Sequence, residues 1–146
     1  MTAPVRFADA LYAAGQPTSA HLAGLAREGV RTVINLRGVD EPCEYDEAAE
    51  AARLGMRYLT LPIAGPADVD RERVRRFGAL LDEARGDGGV LIHCATSNRV
   101  GAMVALDQAL NRGCDLAGAL EHGRSAGLAT LEPVVVALAE REGAPR

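Results

Sequence analysis

The chain has 146 residues, of which 48% are hydrophobic and 25% charged, with a formal net charge of −4. These values fit one folded domain over residues 1–146 and exclude a long disordered segment. The acidic balance argues against nucleic acid as a partner. A membrane span needs roughly 18 consecutive apolar residues, and the chain has no apolar run near that length, which argues against a membrane. Three cysteines form neither a disulfide framework nor a metal-ligand spacing, so we expect a reducing, cytoplasmic location without a signal peptide.

Hydrophobic patterning predicts strands that alternate with helices along the chain. Apolar runs bounded by glycine, proline or polar residues predict strands at 11–14, 30–36, 56–63 and 90–92. Between them, capping residues and glycine stops predict helices from Thr18 or Ser19 to about 28, from about 44 to 54, and from about 71 to 85. A helix over 99–110 follows, and two or three C-terminal helices finish the chain, with Asp115 as a cap.

This alternation predicts an α/β fold with a mainly parallel sheet of four to five strands and helices on both faces. Ligands of such sheets bind beyond the carboxyl ends of the strands. The loops after residues 36, 63 and 93 therefore converge in this interpretation. Polar residues that are distant in sequence are expected near Cys94 for that reason: Arg37, Asp40, Glu41, Cys43, Asp68 and Asp70.

The most informative stretch is residues 90–101, where an apolar strand ends in His93 and Cys94, and Arg99 follows five positions after the cysteine. Cys94 is expected where the strand gives way to a helix N-terminus, whose free amides and dipole favour a thiolate and an oxyanion in the same place. Arg99 supplies donors that hold two oxygens of a phosphate at once. The plainer alternatives are a core cysteine and a hydrogen-bonded core histidine that orients its neighbours.

Four stretches in chain order, residues 11–17, 32–37, 58–63 and 93–101, resemble the cysteine-dependent protein tyrosine and dual-specificity phosphatases, especially their small bacterial branch. The resemblance implies a protein tyrosine phosphatase-like fold and hydrolysis of phosphate monoesters through a cysteinyl-phosphate on Cys94. It implies no metal and no cofactor. The implied substrate is a phosphorylated small molecule or a phosphoprotein. The expected phosphate ligands are Arg99 and the loop residues Ala95, Thr96, Ser97 and Asn98.

The implied mechanism also needs a general acid, which in the family comes from the loop after the equivalent of the third predicted strand. Asp68 is the first candidate, Asp70 the second and Asp40 the third. Asp68 or Asp70 could equally cap the helix that begins near residue 71, because Asp is a favoured cap residue.

Arg37 and Cys43 carry further predictions. Arg37 could add a second positive charge for the substrate or form a salt bridge to Asp40 or Glu41 at the rim. The resemblance also suggests a protective disulfide between Cys43 and Cys94 under oxidation, which requires the two Cα atoms to approach within about 7 Å.

The loop departs from the family pattern in three ways. Four residues separate Cys94 from Arg99 where the family normally has five, Ser97 stands where shorter loops have glycine, and Val100 replaces a hydroxyl residue that helps the thiolate leave. A shorter loop encloses a smaller ring of amides. The spacing is similar to that of rhodanese-type sulfurtransferases, so a Cys94 persulfide is one alternative and a phosphate-binding regulatory module without turnover is another. Rhodaneses lack the three upstream motifs, which favours the phosphatase.

Overall fold

The computed structural model describes residues 3–145, and five strands in this range form one sheet. The strands are β1 (Val5–Ala8), β2 (Leu11–Ala14), β3 (Val30–Asn35), β4 (Arg57–Thr60) and β5 (Gly89–His93). Their order across the sheet is β1-β2-β5-β3-β4, with β1 antiparallel to β2 and the other pairs parallel. The strand that ends just before Cys94 is therefore the central one.

Helices cover both faces of the sheet. Over the described range they are α1 (Ser19–Arg27), α2 (Glu47–Arg53), α3 (Arg71–Arg85), α4 (Asn98–Leu106), α5 (Leu116–Ser125) and α6 (Glu132–Arg141). A 3-10 turn at Pro66–Asp68 precedes α3, and a π-helical turn at Asp107–Asn111 continues α4. None of the described helices is long and apolar enough to cross a bilayer.

Alternate side chains of the central strands pack into two separate cores. Val33 and Leu91 pack with residues of α1 and α2, whereas Ile34 and Ile92 pack with residues of α3, α4 and the C-terminal helices. Successive strand residues point to opposite faces, so each strand contributes to both cores. Burying one such aliphatic side chain stabilises the fold by about 1.5–3 kcal/mol. The predicted α/β fold, with a mainly parallel sheet between two helical layers, is confirmed.

The element boundaries differ from the predicted ones where local contacts decide them. The structure adds β1, a four-residue edge strand with a half-exposed pattern that carries little apolar signal. The third predicted strand is shorter at Arg57–Thr60, although the N–H groups of Leu61 and Ile63 still donate to the carbonyls of Asn35 and Leu36 at 3.0 and 2.9 Å. α2 starts at Glu47 rather than near residue 44, because Asp46 caps it by accepting a hydrogen bond from the N–H of Ala49 at 3.1 Å.

The remaining differences are at strand and helix ends. β3 ends at Asn35, one residue early, although the N–H of Leu36 still donates to the carbonyl of His93 at 2.8 Å. α4 begins at Asn98 and its regular part ends at Leu106, since the following five residues adopt the wider π-helical turn. The predicted caps Thr18, Asp70 and Asp115 all accept hydrogen bonds from helix amides.

Candidate active site

The segment of residues 94–99, called the cysteine loop below, follows β5 at the carboxyl edge of the sheet and includes the first two residues of α4. Cys94 is fully buried, and its N–H donates to the carbonyl of Ala14 at the end of β2. The N–H of Gln16 donates to the carbonyl of Ala95 at 3.2 Å, which joins the loop after β2 to the cysteine loop. The central position of β5 thus surrounds the cysteine with loops from its neighbours.

Ser97 has an unusual backbone conformation at the end of the cysteine loop. Its φ is 73°, in the left-handed region that favours glycine. The family resemblance implies glycine at this position. The Ser97 hydroxyl donates to the carbonyl of Ala126 at 2.7 Å, and no described side chain caps the N-terminus of α4. The first amides of α4 are therefore left without a side-chain partner in the described part of the chain.

Arg99 is held by a carboxylate from a distant loop. Its Nη1 and Nη2 donate to the two oxygens of Glu41 at 2.6 and 2.8 Å, and Nη1 also donates to the carbonyl of Ile63 at 2.7 Å. The hydrogen bond from Arg99 lowers the pKa of Glu41 to about 2, so Glu41 is ionised at neutral pH. Glu41 in turn raises the pKa of Arg99, and the nearby Cys94 sulfur acts in the same direction. A fixed guanidinium therefore lies beside the cysteine.

Arg37 lies behind this pair. Its side chain is only 6% exposed, its Nη2 donates to the carbonyl of Pro42, and its Nε lies 3.8 Å from Glu41. Of the two roles predicted for Arg37, the structure therefore shows the ion pair, with Glu41 as the partner. The sequence pattern predicts Glu41 near the cysteine, but only as a partner of Arg37. The available signal was an acidic residue in a loop expected to converge with Arg99.

A second pair is formed by the buried residues His93 and Glu47, and His93 directly precedes the cysteine loop. His93 is fully buried, and its Nε2 donates to Glu47, whose other carboxylate oxygen accepts a hydrogen bond from Gln16 Nε2 at 2.9 Å. The Nδ1 atom of His93 lies 3.4 Å from the carbonyl oxygen of Cys94. A carboxylate in this environment needs such donors, because an unpaired buried charge is strongly unfavourable. These contacts agree with the predicted orienting role of His93. The sequence does not mark Glu47 as a site residue, because an acid in the first turn of a helix is common.

The three acid candidates occupy different settings. Asp68 lies in the 3-10 turn after β4, accepts the N–H of Ala64 at 2.8 Å, and has its second oxygen 3.7 Å from Arg73. Asp70 caps α3 by accepting the backbone N–H of Arg73 at 2.8 Å, and it also pairs with the guanidinium of that residue at 2.6 Å. Asp40 is exposed in the loop that carries Glu41. The cap role left open between Asp68 and Asp70 belongs to Asp70.

The other loop residues divide between exposed and tethered ones. Ala95 and Thr96 are exposed, and the backbone of Thr96 forms an isolated bridge to Gly15. The side chain of Asn98 points to the connection between α5 and α6, where its Oδ1 accepts the N–H groups of Ala129 at 2.8 Å and Leu131 at 3.3 Å.

Cys43 and Cys94 are both free thiols in this structure, the first exposed and the second buried. Cys43 lines a cleft of about 630 Å³ together with residues 16–19. Their pairing under oxidation stays a prediction.

Comparison with known proteins identifies the class that this fold and site define, the cysteine-dependent tyrosine and dual-specificity phosphatases. The family model described as "DSP-PTPase phosphatase fused to NAD+ Kinase" matches residues 5–131. The chain belongs to this family, and the predicted phosphatase family and fold are confirmed.

Individual relatives extend the comparison. The chain is 32% identical over 111 residues to a beta-lactamase hydrolase-like protein of Agrobacterium fabrum, a match over 73% of this chain and 25% of that protein. It thus spans about a quarter of the length of the curated relatives that it matches. It is 25% identical, with a TM-score of 0.74, to a DUF442 protein of Shewanella putrefaciens, covering 98% of this chain and 90% of the other. Pseudomonas aeruginosa TpbA, solved in complex with phosphotyrosine, is 26% identical with a TM-score of 0.74 over 93% of this chain and 82% of TpbA.

Proposed function

We propose that the chain hydrolyses phosphate monoesters through a cysteinyl-phosphate on Cys94. The observation that carries this proposal is the guanidinium of Arg99, fixed beside Cys94 by two hydrogen bonds to Glu41. A rigid planar donor next to a buried cysteine suits a tetrahedral oxyanion better than a neutral substrate.

In the first step the Cys94 thiolate attacks phosphorus, an S–P bond forms, and the ester P–O bond breaks. Arg99 and the backbone amides of residues 95–98 hold the phosphoryl oxygens in this proposal. The uncapped N-terminus of α4 supports that role, because its free N–H groups and its dipole favour negative charge. Such donors act in a fixed geometry and need little reorganisation when charge develops.

Asp68 is assigned as the general acid of the first step and the base of the second. It protonates the departing oxygen, then takes a proton from the water that attacks phosphorus, after which the S–P bond breaks and the thiolate returns. Its position on the loop after β4 supports the assignment, since only one of its oxygens makes a hydrogen bond shorter than 3.5 Å. Asp70 is less suited, because both of its oxygens are bonded to Arg73.

The substrate proposed is a phosphorylated small molecule or a phosphoprotein. The phosphotyrosine bound to TpbA supports a phosphorylated substrate. Arg37 adds positive charge near Glu41 in this proposal, because its guanidinium is held at the carbonyl of Pro42 and, being only 6% exposed, is little screened by solvent.

The test is phosphate release from an aryl phosphate by the wild type, Cys94→Ser and Arg99→Lys. We expect no turnover in the first variant and a loss of at least about a hundredfold in the second, because Lys cannot bind bidentately. Asp68→Asn should accumulate a phosphate adduct on Cys94, visible by mass spectrometry after acid quenching, whereas Asp70→Asn should not. Unchanged turnover in Cys94→Ser would refute the proposal.

Persulfide transfer is a second candidate, favoured by the four-residue loop and by the fully buried Val100, which offers no hydroxyl beside the cysteine. With thiosulfate as donor, the Cys94 thiolate attacks the outer sulfur, the S–S bond of thiosulfate breaks, sulfite leaves and a persulfide remains on Cys94. Mass spectrometry of the wild type and Cys94→Ser after exposure to thiosulfate decides this, since an absent sulfur adduct counts against it. A binding module without turnover would instead bind inorganic phosphate in calorimetry and release none from esters.

A further inference from the structure

The two side chains best placed to cap α4 are both used elsewhere. Ser97 and Asn98 stand at the N-cap and first helical positions, where polar side chains usually bond the free helix amides. Here the hydroxyl of Ser97 donates to the carbonyl of Ala126, and the amide of Asn98 bonds to residues 129–131. The segment of residues 126–131, called the α5–α6 connection below, therefore withdraws both side chains from the helix terminus.

Asn98 makes most of these contacts. Its Oδ1 accepts two backbone N–H groups, those of Ala129 and Leu131, and its Nδ2 donates to the hydroxyl of Thr130 at 2.7 Å. Three hydrogen bonds therefore fix one short side chain. Since Asn98 also contributes its own backbone N–H to the cysteine loop, the same residue links that loop to the α5–α6 connection.

Close packing completes this link. Gly127 has a φ of 108°, and a Cβ at this position would press against the side chain and carbonyl of Ser97. A Cβ on Gly101, one turn into α4, would overlap the backbone of Leu128. The left-handed backbone of Ser97 is strained for a residue with a side chain, and such strain persists only where the surroundings hold it.

We propose that Asn98 is a positioning residue that fixes the shape of the cysteine loop and keeps the first amides of α4 free for the phosphoryl oxygens. The proposal rests on the phosphatase function given above. It places the side chain of Asn98 outside the direct substrate contacts and makes the α5–α6 connection part of the phosphate site.

The test compares Asn98→Ala, which loses all three bonds, with Thr130→Val, which loses only the bond to Nδ2. We expect the inhibition constant of inorganic phosphate to rise about tenfold in Asn98→Ala and less than about twofold in Thr130→Val. The inhibition constant does not depend on the fraction of folded enzyme. If Asn98 only stabilised the fold, Asn98→Ala would therefore lower the rate and leave the inhibition constant unchanged. The rate at which the neutral reagent iodoacetamide alkylates Cys94 should stay within about twofold of the wild-type rate in Asn98→Ala.

An inhibition constant that is the same in Asn98→Ala and the wild type overturns the proposal. Should Asn98→Ala not fold, Gly127→Ala strains the contact with Ser97 from the opposite side and should raise the same constant. If the wild type shows no turnover, the phosphatase proposal fails alone, and protection of Cys94 by inorganic phosphate against iodoacetamide becomes the readout. Protection of the wild type but not of Asn98→Ala then supports the positioning role, and no protection of either overturns both proposals.

Discussion

The cysteine loop is held by charged contacts on one flank and by neutral contacts on the other. On the charged flank, Glu41 binds Arg99 and Glu47 binds His93. On the neutral flank, Ser97 and Asn98 bind the α5–α6 connection. Hydrogen bonds to charged groups contribute about 1.5–3 kcal/mol each and neutral ones about 1 kcal/mol. The charged flank therefore sets the electrostatics and most of the stability of the site, and the neutral flank sets its shape.

The N-termini of the helices also differ, in whether a side chain caps them. α1, α2, α3 and α5 each have a side-chain cap, whereas α4 and α6 have none within the described residues. A missing cap ordinarily costs about 1 kcal/mol. At α4 this cost coincides with the site where a bound anion would replace the cap.

The largest effect is expected from the buried pair of the charged flank. Glu47→Ala leaves the donors of His93 and Gln16 without their acceptor, and each buried unsatisfied group costs about 1–3 kcal/mol. We expect the free energy of unfolding, measured in urea, to fall by about 3 kcal/mol. Glu50→Ala removes an exposed, solvent-screened pair with Arg53 and should change the free energy of unfolding far less than Glu47→Ala does. Equal losses in both variants would show that burial of the pair contributes nothing.

The second effect concerns activity more than stability. Glu41→Ala frees Arg99 to adopt other rotamers and leaves a partly buried charge unpaired. We expect kcat/KM for an aryl phosphate to fall by about a hundredfold, within the 2–5 kcal/mol that truncating one partner of such a pair costs. Glu44→Ala, an exposed acid three residues away, serves as the control and should retain wild-type activity. A kcat/KM within about threefold of the wild type in Glu41→Ala would mean that Arg99 is positioned without Glu41.

The pH dependence of stability isolates the same pair. Since Arg99 lowers the pKa of Glu41 from 4.5 to about 2 in the folded chain, the pair stabilises the fold above pH 4.5, and this contribution disappears as the pH falls towards 2. After solvent screening we expect about 1–2 kcal/mol. The difference in unfolding free energy between the wild type and Glu41→Gln should shrink between pH 5 and pH 2.5. A constant difference over that range would contradict the ionised pair.

Whether the sequence predicts a feature of the fold or the site depends on how far apart the contacting residues lie in the chain. β5, Cys94 and Arg99 are neighbours, and their pattern alone predicts a strand, a nucleophile and a helix terminus. The charged flank joins residues 46 and 58 positions apart, and no local pattern marks Glu47 as a buried partner of His93 or Glu41 as the clamp of Arg99. The direction of the Asn98 side chain was not predictable either, since it depends on contacts about 31 residues later.

The smallest effect is expected between the two flanks, at Val100. This residue is fully buried directly after Arg99, where the family normally has a hydroxyl that assists the departing thiolate. Val100→Thr keeps the side-chain shape and adds that hydroxyl, so we expect breakdown of the cysteinyl-phosphate to accelerate by about two- to fivefold. The hydroxyl costs some stability, because it enters a core position. Stopped-flow measurement of the burst and steady-state phases distinguishes the two steps. Val104→Thr, one turn further along α4 and also buried, should lose similar stability without the faster second step. If both variants behave alike, the hydroxyl has no part in the departure of the thiolate, and the two flanks alone determine the turnover of this short loop.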